Sequence, residues 1–491
     1  MRLDELIAAG DAGQATAVEI TSLAYDSREV RPDGLFFCVK GFQSDGHDFA
    51  AQAVQNGAAA LVAERPLGLG VPEVIVPSVR AAMGPIAARF YGDPTSQLRV
   101  VGVTGTNGKT TTAFLVRALL EATGEQAGLL GTVKSIVGGE ERPVQRTTPE
   151  AVDLQSDFRA MLAGGDRACV MEVSSHALEL GRAEGTSFVA AIFTNLTQDH
   201  LDFHETMEDY FQAKRRLFSS APNVSVVNVA DPYGRRLAQE IDGAVTFAVE
   251  DDADYSATDL RCDVAGCRFE LRTPVGRHEV SLPMPGRFNV ANALGALASV
   301  HVLRGNIDTL IAALERGVRV PGRFEPVQAG QEFAVIVDYA HTPDSLENVL
   351  LAARDIARGR IICVFGAGGD RDRGKRPLMG EIAARLADVT IVTSDNPRSE
   401  APEAIVAEIV APIVESEGPA GDRLALQIEV DRRMAIERAI ALAGADDVVV
   451  IAGKGHEQGQ EFENGRKLPF DDIAVAREIL SAHLAAVGAG K

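Results

Sequence analysis

Cysteine is scarce in this sequence. The 491 residues hold five (Cys38, Cys169, Cys262, Cys267 and Cys363), an odd number, scattered, with no C-x-x-C. A disulfide framework and a zinc knuckle are therefore not expected, and a reducing cytoplasm fits this usage. Basic charge is scarce as well: 48 Lys and Arg face 69 Asp and Glu, a formal net charge of −21. Nucleic acids and membrane surfaces are polyanions that bind basic faces, so neither is an expected partner. An anionic small substrate would have to be held by local Lys, Arg and backbone N–H groups. No run of 18 consecutive apolar residues occurs, so no transmembrane span is expected. The opening "MRLDELIAAGDAGQ" lacks the apolar core of a signal peptide. There is no internal repeat and no low-complexity tract.

The composition is otherwise that of a folded globular chain, 46% apolar and 24% charged. At roughly 150 residues per domain, the length implies about three domains. Residues 1–98 read as a small α/β unit with strands in "GLFFCVKG", "AALVAE" and "EVIVP", closed by the turn formers "YGDPTSQ". From Val100 the pattern alternates strand and helix. Short apolar runs at "VVGVTG", "ACVMEVSS", "VAAIFTNL" and "VSVVNVAD" predict a buried, mostly parallel sheet. Residues 255–285 alternate in short pieces such as "CRFELRTPV" and predict an antiparallel flap. A third α/β unit starts near Arg323, with strands in "AVIVDYAH", "RIICVFGAGG", "VTIVTSDNP" and "DVVVIAGKG". The tail "AAVGAGK" is expected to fray. The expected fold is α/β in three domains, 1–98, 99–322 and 323–491: a central phosphate-loop sheet flanked by a small N-terminal α/β domain and a C-terminal Rossmann-like one.

The chemistry starts at "VVGVTGTNGKTTT". A β-branched run enters a Gly-rich turn that delivers Gly108-Lys109-Thr110 to a helix start, with Gly124 as the helix stop. The usual phosphate loop, G-x-x-x-x-G-K-[ST], requires glycine at position 103, where this chain has Val103. Gly105 and Gly108 still let the backbone approach an anion. Lys109 can reach terminal phosphates, Thr110 can ligate Mg²⁺, and the following helix offers its positive N-terminus.

Other strand ends carry further candidates. Glu172 in "MEVSSHALELGR" is either a cation ligand or a solvated strand-end carboxylate. His200 and His204 in "TNLTQDHLDFH" are spaced i, i+4, but the glutamate of a zinc protease is absent, and a structural hydrogen-bonding role is the alternative. Lys214 lies on the amphipathic "YFQAKRRLF", and a helical lysine of this kind is expected to be exposed. "FGAGGDRDRGKRP" fails the dinucleotide fingerprint at Arg371 and reads better as an anion or carboxylate clamp. With "TSDNPRSE" and "AGKGHE" it forms three strand ends bearing Arg371, Arg398 and Glu457, a pocket for a zwitterion with an extra carboxylate and amine.

Taken together, "TGTNGKTT", "EVSSHAL", "GGDRDRGKRPLM" and "DNPR" resemble the Mur ligases, and the resemblance runs through the whole chain. The family's loop is TGTNGKTT, with its own spacing. The resemblance implies an ATP-dependent ligase that joins an amino acid to a UDP-sugar peptide through an acyl phosphate, in peptidoglycan precursor synthesis. It assigns the loop Gly105, Thr106, Asn107, Gly108, Lys109, Thr110 and Thr111 to ATP phosphates, and Asn292, Arg323 and Asp338 to the nucleotide. It places Thr110, Glu172, His200 and a carbamylated Lys214 on Mg²⁺, with Lys109, Glu172, His200 and Lys214 catalytic. Ser27, Gln43, Thr147, Thr148, Ser174 and Arg182 fall to UDP-MurNAc-L-Ala-D-Glu, although Leu180 stands where some members have Gln. Arg371, Asp395, Asn396, Pro397, Arg398, Gly453 and Glu457 fall to the incoming amino acid, and the DNPR form goes with meso-diaminopimelate rather than L-lysine. A cytoplasmic monomer is implied. The rival readings are the same ligase using L-lysine, a folylpolyglutamate synthase, and a phosphate-loop NTPase or kinase without an amino-acid pocket.

Overall fold

The computed structural model describes residues 1–7, 18–41, 44–201, 203–220, 222–303, 305–416 and 425–489. The chain forms two compact units: residues 1–104, 120–192 and 212–225, and residues 105–119, 193–211 and 226–491. Both are α/β.

The first unit opens with a four-stranded sheet, β1 (Ser22–Ala24), β2 (Gly34–Phe37), β3 (Ala58–Ala63) and β4 (Glu73–Ile75), paired in that order and parallel throughout. The helix Val79–Phe90 packs Val79, Met83 and Ile86 into one core with Leu35, Phe37, Ala60 and Val62. Next come β5 (Arg99–Thr104), β6 (Ala127–Leu130), β7 (Ser135–Val137), β8 (Glu140–Arg142), β9 (Ala168–Glu172) and β10 (Phe188–Phe193), ordered β10-β5-β9-β6-β7-β8. β5 and β6 run parallel to β9, whereas β7 and β8 are antiparallel additions. β6 and β9 are buried at every position, as apolar runs without alternation require.

β11 (Val224–Asn228), β12 (Val245–Val249) and β13 (Tyr255–Asp263) are parallel, and β14 (Gly266–Thr273) and β15 (Gly276–Leu282) extend them as the expected antiparallel flap. Here the structure departs from the expectation for cysteine. Cys262 and Cys267 face each other across the β13–β14 turn and form a disulfide, with Cα atoms 4.1 Å apart. Two residues five apart meet only because the hairpin register places them opposite. Cys38, Cys169 and Cys363 are buried free thiols.

A last sheet holds β16 (Glu325–Pro326), β17 (Ala334–Asp338), β18 (Ile361–Phe365), β19 (Val389–Val392), β20 (Ala425–Ile428) and β21 (Val448–Ala452), ordered β16-β17-β21-β18-β19-β20. All but β16 are parallel. Side chains alternate between its faces. Ile336, Cys363, Phe365 and Val450 join helices Pro343–Ile356, Lys375–Leu386 and Pro402–Ser416 on one side. Val335, Val337, Val364 and Ile451 join Arg432–Leu442 and Asp472–Ala489 on the other. The tail expected to fray is helical through Ala489: the apolar Ala476, Ile479 and Leu480 stripe docks this helix on the sheet. The carboxyl ends of the parallel strands are left to the loops that bear the candidate site residues.

Candidate active site

The Gly-rich loop follows β5 and opens the helix Lys109–Ala122. Val103 lies inside β5, opposite Glu172, and is fully buried, so no turn glycine is needed at that position. The tight turn falls instead at Gly105 (φ +148°) and Gly108 (φ +83°). A Cβ on Gly105 would sit 1.8 Å from Thr194 Oγ1, and one on Gly108 would sit 2.3 Å from Asn292 Oδ1. Each glycine is thus demanded twice, by conformation and by a neighbouring side chain.

The segment after β10 braces this loop. Thr106 N donates to Asn195 O at 2.9 Å and Asn107 N to Asn195 Oδ1 at 2.8 Å. Thr194 Oγ1 donates to Asn107 O at 2.6 Å. Lys109 Nζ curls back onto Gly105 O (3.0 Å) and Thr106 O (2.7 Å), spanning the turn. Asn107 Nδ2 reaches Asp344 Oδ2 at 2.6 Å, at the start of the helix Pro343–Ile356.

The residues assigned to the nucleotide gather at this loop. Arg323 Nη2 donates to Thr110 Oγ1 at 3.1 Å, and its guanidinium lies 4.4 Å from the Tyr339 ring centroid. Thr112 Oγ1 donates to Asn292 Oδ1 at 3.3 Å. Asp338 accepts from Phe324 N at 2.6 Å, and burial raises its carboxyl to about 6 against the pull of Arg323. His200 has φ +56° and keeps Nε2 3.4 Å from Asp199 Oδ2. His204 is buried, 5.0 Å from the Tyr210 ring, in a packing position.

In the first unit a second polar group forms around Glu172. This carboxylate is 1% exposed, not the solvated strand end the sequence also allowed, and accepts from Thr132 N (2.8 Å) and Thr132 Oγ1 (3.1 Å). Thr132 Oγ1 lies 3.0 Å from Thr147 Oγ1. Thr148 Oγ1 donates to Glu172 O at 2.8 Å and accepts from Ser174 N at 3.2 Å. Arg182 Nη1 reaches Thr148 O at 3.4 Å, and its Nε lies 2.9 Å from Glu150. Ser27 stands apart from these residues, bonded to Gln52 Oε1 at 3.0 Å. Gln43 lies outside the described residues. Lys214 corrects the expectation of an exposed helical lysine: at 1% exposure it is buried with Tyr210, Phe211 and Leu217, because the apolar face of its helix carries it into the core.

The third group lies at the carboxyl ends of β18, β19 and β21. Asp395 and Asn396 are buried, and Asn396 Nδ2 donates to Glu457 Oε2 at 2.8 Å. Arg398 (φ +52°) donates from Nη1 to Gly369 O at 2.7 Å and holds Nε 3.1 Å from Glu461 Oε2. Gly368 separates the Arg398 and Arg371 side chains, with its Cβ direction 3.1 Å from Arg398 Nη1 and 3.7 Å from Arg371 Cγ. Gly453 (φ +119°) lets Asp395 approach, since a Cβ there would meet Asp395 Oδ2 at 2.4 Å.

Models described as "Mur ligase family, catalytic domain", "Mur ligase middle domain" and "Mur ligase, glutamate ligase domain" match residues 19–91, 103–300 and 322–455. A UDP-N-acetylmuramoyl-L-alanyl-D-glutamate–2,6-diaminopimelate ligase of Syntrophomonas wolfei is 47% identical over 475 residues, covering 94% of this chain and 95% of its own. The chain belongs to the Mur ligase family. A solved structure of a protein with that same ligase name is 35% identical, covers 95% of both chains and superposes with a TM-score of 0.68. A Thermotoga maritima MurF ligase, solved in complex with ADP, shares the fold at 20% identity, with a TM-score of 0.66 over 95% of this chain and 98% of its own.

Several residues of this Mur ligase were missed in the sequence. Arg80 approaches both Glu150 (3.5 Å) and Leu180 O (3.3 Å), and Tyr25 Oη lies 2.6 Å from Asp153 Oδ2. Neither pair has a local signal, being 70 and 128 residues apart. Lys454 lies inside "AGKGHE", where its burial cannot be read from a lysine in a loop. Among the described residues, no group of three or more His, Cys, Asp or Glu side chains is arranged to hold a metal, and no helix is long and apolar enough to cross a membrane.

Proposed function

We propose that this Mur ligase adds meso-diaminopimelate to the D-Glu γ-carboxylate of UDP-MurNAc-L-Ala-D-Glu, using ATP, as a cytoplasmic monomer in peptidoglycan precursor synthesis. Residues 1–98 bind the UDP-sugar, 99–322 the nucleotide and 323–491 the amino acid. The observation that carries the reading is the pairing of Asn396 and Arg398, two donors for a carboxylate, with Glu457, an acceptor for an ammonium, at neighbouring strand ends. Diaminopimelate carries a distal carboxylate beside its amine, and lysine does not. A site whose buried polar groups lysine leaves unpaired rejects it strongly. The name of the Syntrophomonas wolfei relative supports the same substrate pair, and the ADP in the Thermotoga maritima MurF structure supports the nucleotide.

A carboxylate oxygen of D-Glu attacks the γ-phosphorus of ATP, ADP departs with the bonding pair, and an acyl phosphate remains. The diaminopimelate amine, having shed its proton, attacks the acyl carbon, and the tetrahedral adduct expels inorganic phosphate. Lys109 is half-buried, with Nζ on the carbonyls of Gly105 and Thr106. Leaving Gly105 O and Thr106 O for the phosphates, it stabilises the charge of the transferring phosphoryl group. Thr147, Thr148, Ser174 and Arg182, with Ser27 and Gln43, hold the UDP-sugar peptide. Arg371, Asp395, Pro397 and Gly453 complete the amino-acid pocket.

Mg²⁺ is held by hydroxyl and carboxylate oxygens together with substrate phosphates, so few protein donors suffice. Thr110 and Glu172 would be such donors, and the family resemblance would add His200 and a carbamylated Lys214. The ion would supply charge neutralisation at the phosphates.

The test is phosphate release with ATP, Mg²⁺ and UDP-MurNAc-L-Ala-D-Glu, run with meso-diaminopimelate, with L-lysine and with no amino acid. Turnover restricted to meso-diaminopimelate is expected. Preference for lysine overturns the pocket assignment, and steady release without any amino acid overturns the ligase reading.

A further inference from the structure

Behind the amino-acid pocket lies a lysine to which nothing above gives a role. Lys454, two residues beyond β21, is fully buried. Its Nζ donates to Asn396 Oδ1 at 2.9 Å and to Glu457 Oε2 at 3.0 Å, and lies 3.7 Å from Asp395 Oδ1. Three acceptors from two loops therefore surround one ammonium, whose three N–H donors form a fixed tripod.

The consequence falls on Asn396. Its Oδ1 accepts twice, from Lys454 Nζ and from Glu461 N at 3.0 Å. Both partners are obligate donors, so the flipped amide, with NH₂ in that position, would set N–H against N–H twice. The amide is thereby locked with Nδ2 directed to Glu457 Oε2. The second Nδ2 hydrogen and Glu457 Oε1 have no protein partner among the described residues. They present one donor and one acceptor side by side.

We propose that Lys454 is a positioning residue for specificity. By fixing the Asn396 amide and one oxygen of Glu457, it makes the pocket demand a substrate whose distal end carries a carboxylate next to an ammonium. This inference rests on the proposed amino-acid pocket and deepens it. The strand ends do not depend on Lys454 for their spacing. Arg432, paired with Asp472 at 2.8 and 2.7 Å in a fully buried bridge, donates to Ala452 O at 3.0 Å and Ser394 O at 3.5 Å, tying the ends of β21 and β19 across β18. A change at position 454 should therefore loosen the polar contacts and leave the sheet intact.

The test uses the full chain with Lys454→Met, which keeps the apolar stem, and Lys454→Gln, which keeps one donor. Steady-state kcat and KM are measured for meso-diaminopimelate, L-lysine and ATP, alongside the melting temperature. In Lys454→Met the KM for meso-diaminopimelate should rise, and the kcat/KM preference for it over L-lysine should fall by about 10- to 100-fold, the scale of leaving one buried polar group without its partner. KM for ATP should stay unchanged. Lys454→Gln should fall between this variant and the wild type. If the methionine variant does not fold, the glutamine variant decides by the same ratio. A preference within about twofold of wild type, or a parallel rise in the KM for ATP, overturns the inference and leaves the ligase reading standing. Wild-type preference for L-lysine overturns both.

Discussion

The glycine-rich loop and the proposed amino-acid pocket are built on opposite plans. The loop is contiguous: residues 105–112 supply its turn, its lysine and its hydroxyls, and the brace from Thr194 and Asn195 only holds it in shape. The proposed pocket is assembled from three strand ends about 30 to 90 residues apart, and the buried Arg432–Asp472 bridge behind it keeps those ends in register. Backbone geometry dominates the first and side-chain orientation the second. Damage should therefore differ in kind. The loop should fail in chemistry or in folding, and the pocket should fail in choice of substrate.

The largest expected effect sharpens that contrast. Lys109→Ala should lower kcat by about 10²- to 10³-fold, the cost of removing one preorganised charge from a transferring phosphoryl group. The amino-acid preference should survive, read from residual turnover with each amino acid; a shifted preference would break the separation of the two sites.

Next comes Arg398→Lys. A point charge cannot reproduce the guanidinium fork that reaches Gly369 O and Glu461. The kcat/KM for meso-diaminopimelate should drop by about 10²-fold with little change in the KM for ATP. An equal loss in both would show that the pocket and the nucleotide site are not independent.

Gly105→Ala tests the loop as a fold element. The added Cβ meets Thr194 Oγ1 at 1.8 Å in a backbone region that favours glycine. A loss of about 3 kcal/mol is expected in urea unfolding, together with weakened nucleotide binding. Asp338 comes last, its effect confined to a pH window. Burial raises its carboxyl from 3.8 to about 6, so between those values the folded chain holds a proton that the unfolded chain has released. The stability this confers is complete below pH 3.8 and is lost as pH rises through 6. Asp338→Asn keeps the Phe324 contact and should remove a change of about 3 kcal/mol from the pH dependence of unfolding.

Much was legible from residues alone. The strands of the C-terminal sheet announced themselves as apolar runs, and the flap at 255–285 as alternation. The loop was recognisable although Val103 broke the usual spacing, because its chemistry needs only a strand, two glycines and a helix start within one stretch. Legibility failed where burial decides. Lys214 and Lys454 look alike in sequence, each a lysine among ordinary neighbours. Only packing shows that the first is carried into the core on the apolar face of its helix, and that the second sits among Asn396, Glu457 and Asp395. Likewise, the Cys262–Cys267 bridge depends on hairpin register, and the helical tail on the sheet face that receives it.

By itself the sequence determined the α/β class, the anion-binding turn and the set of charged strand ends, because each arises from neighbours in the chain acting through backbone geometry and hydrophobic period. The tertiary structure alone decided which of those charges are buried, which way the Asn396 amide is turned and which lysine fixes it. Such choices depend on desolvation and on hydrogen-bond partners contributed by distant segments, and a linear pattern carries neither.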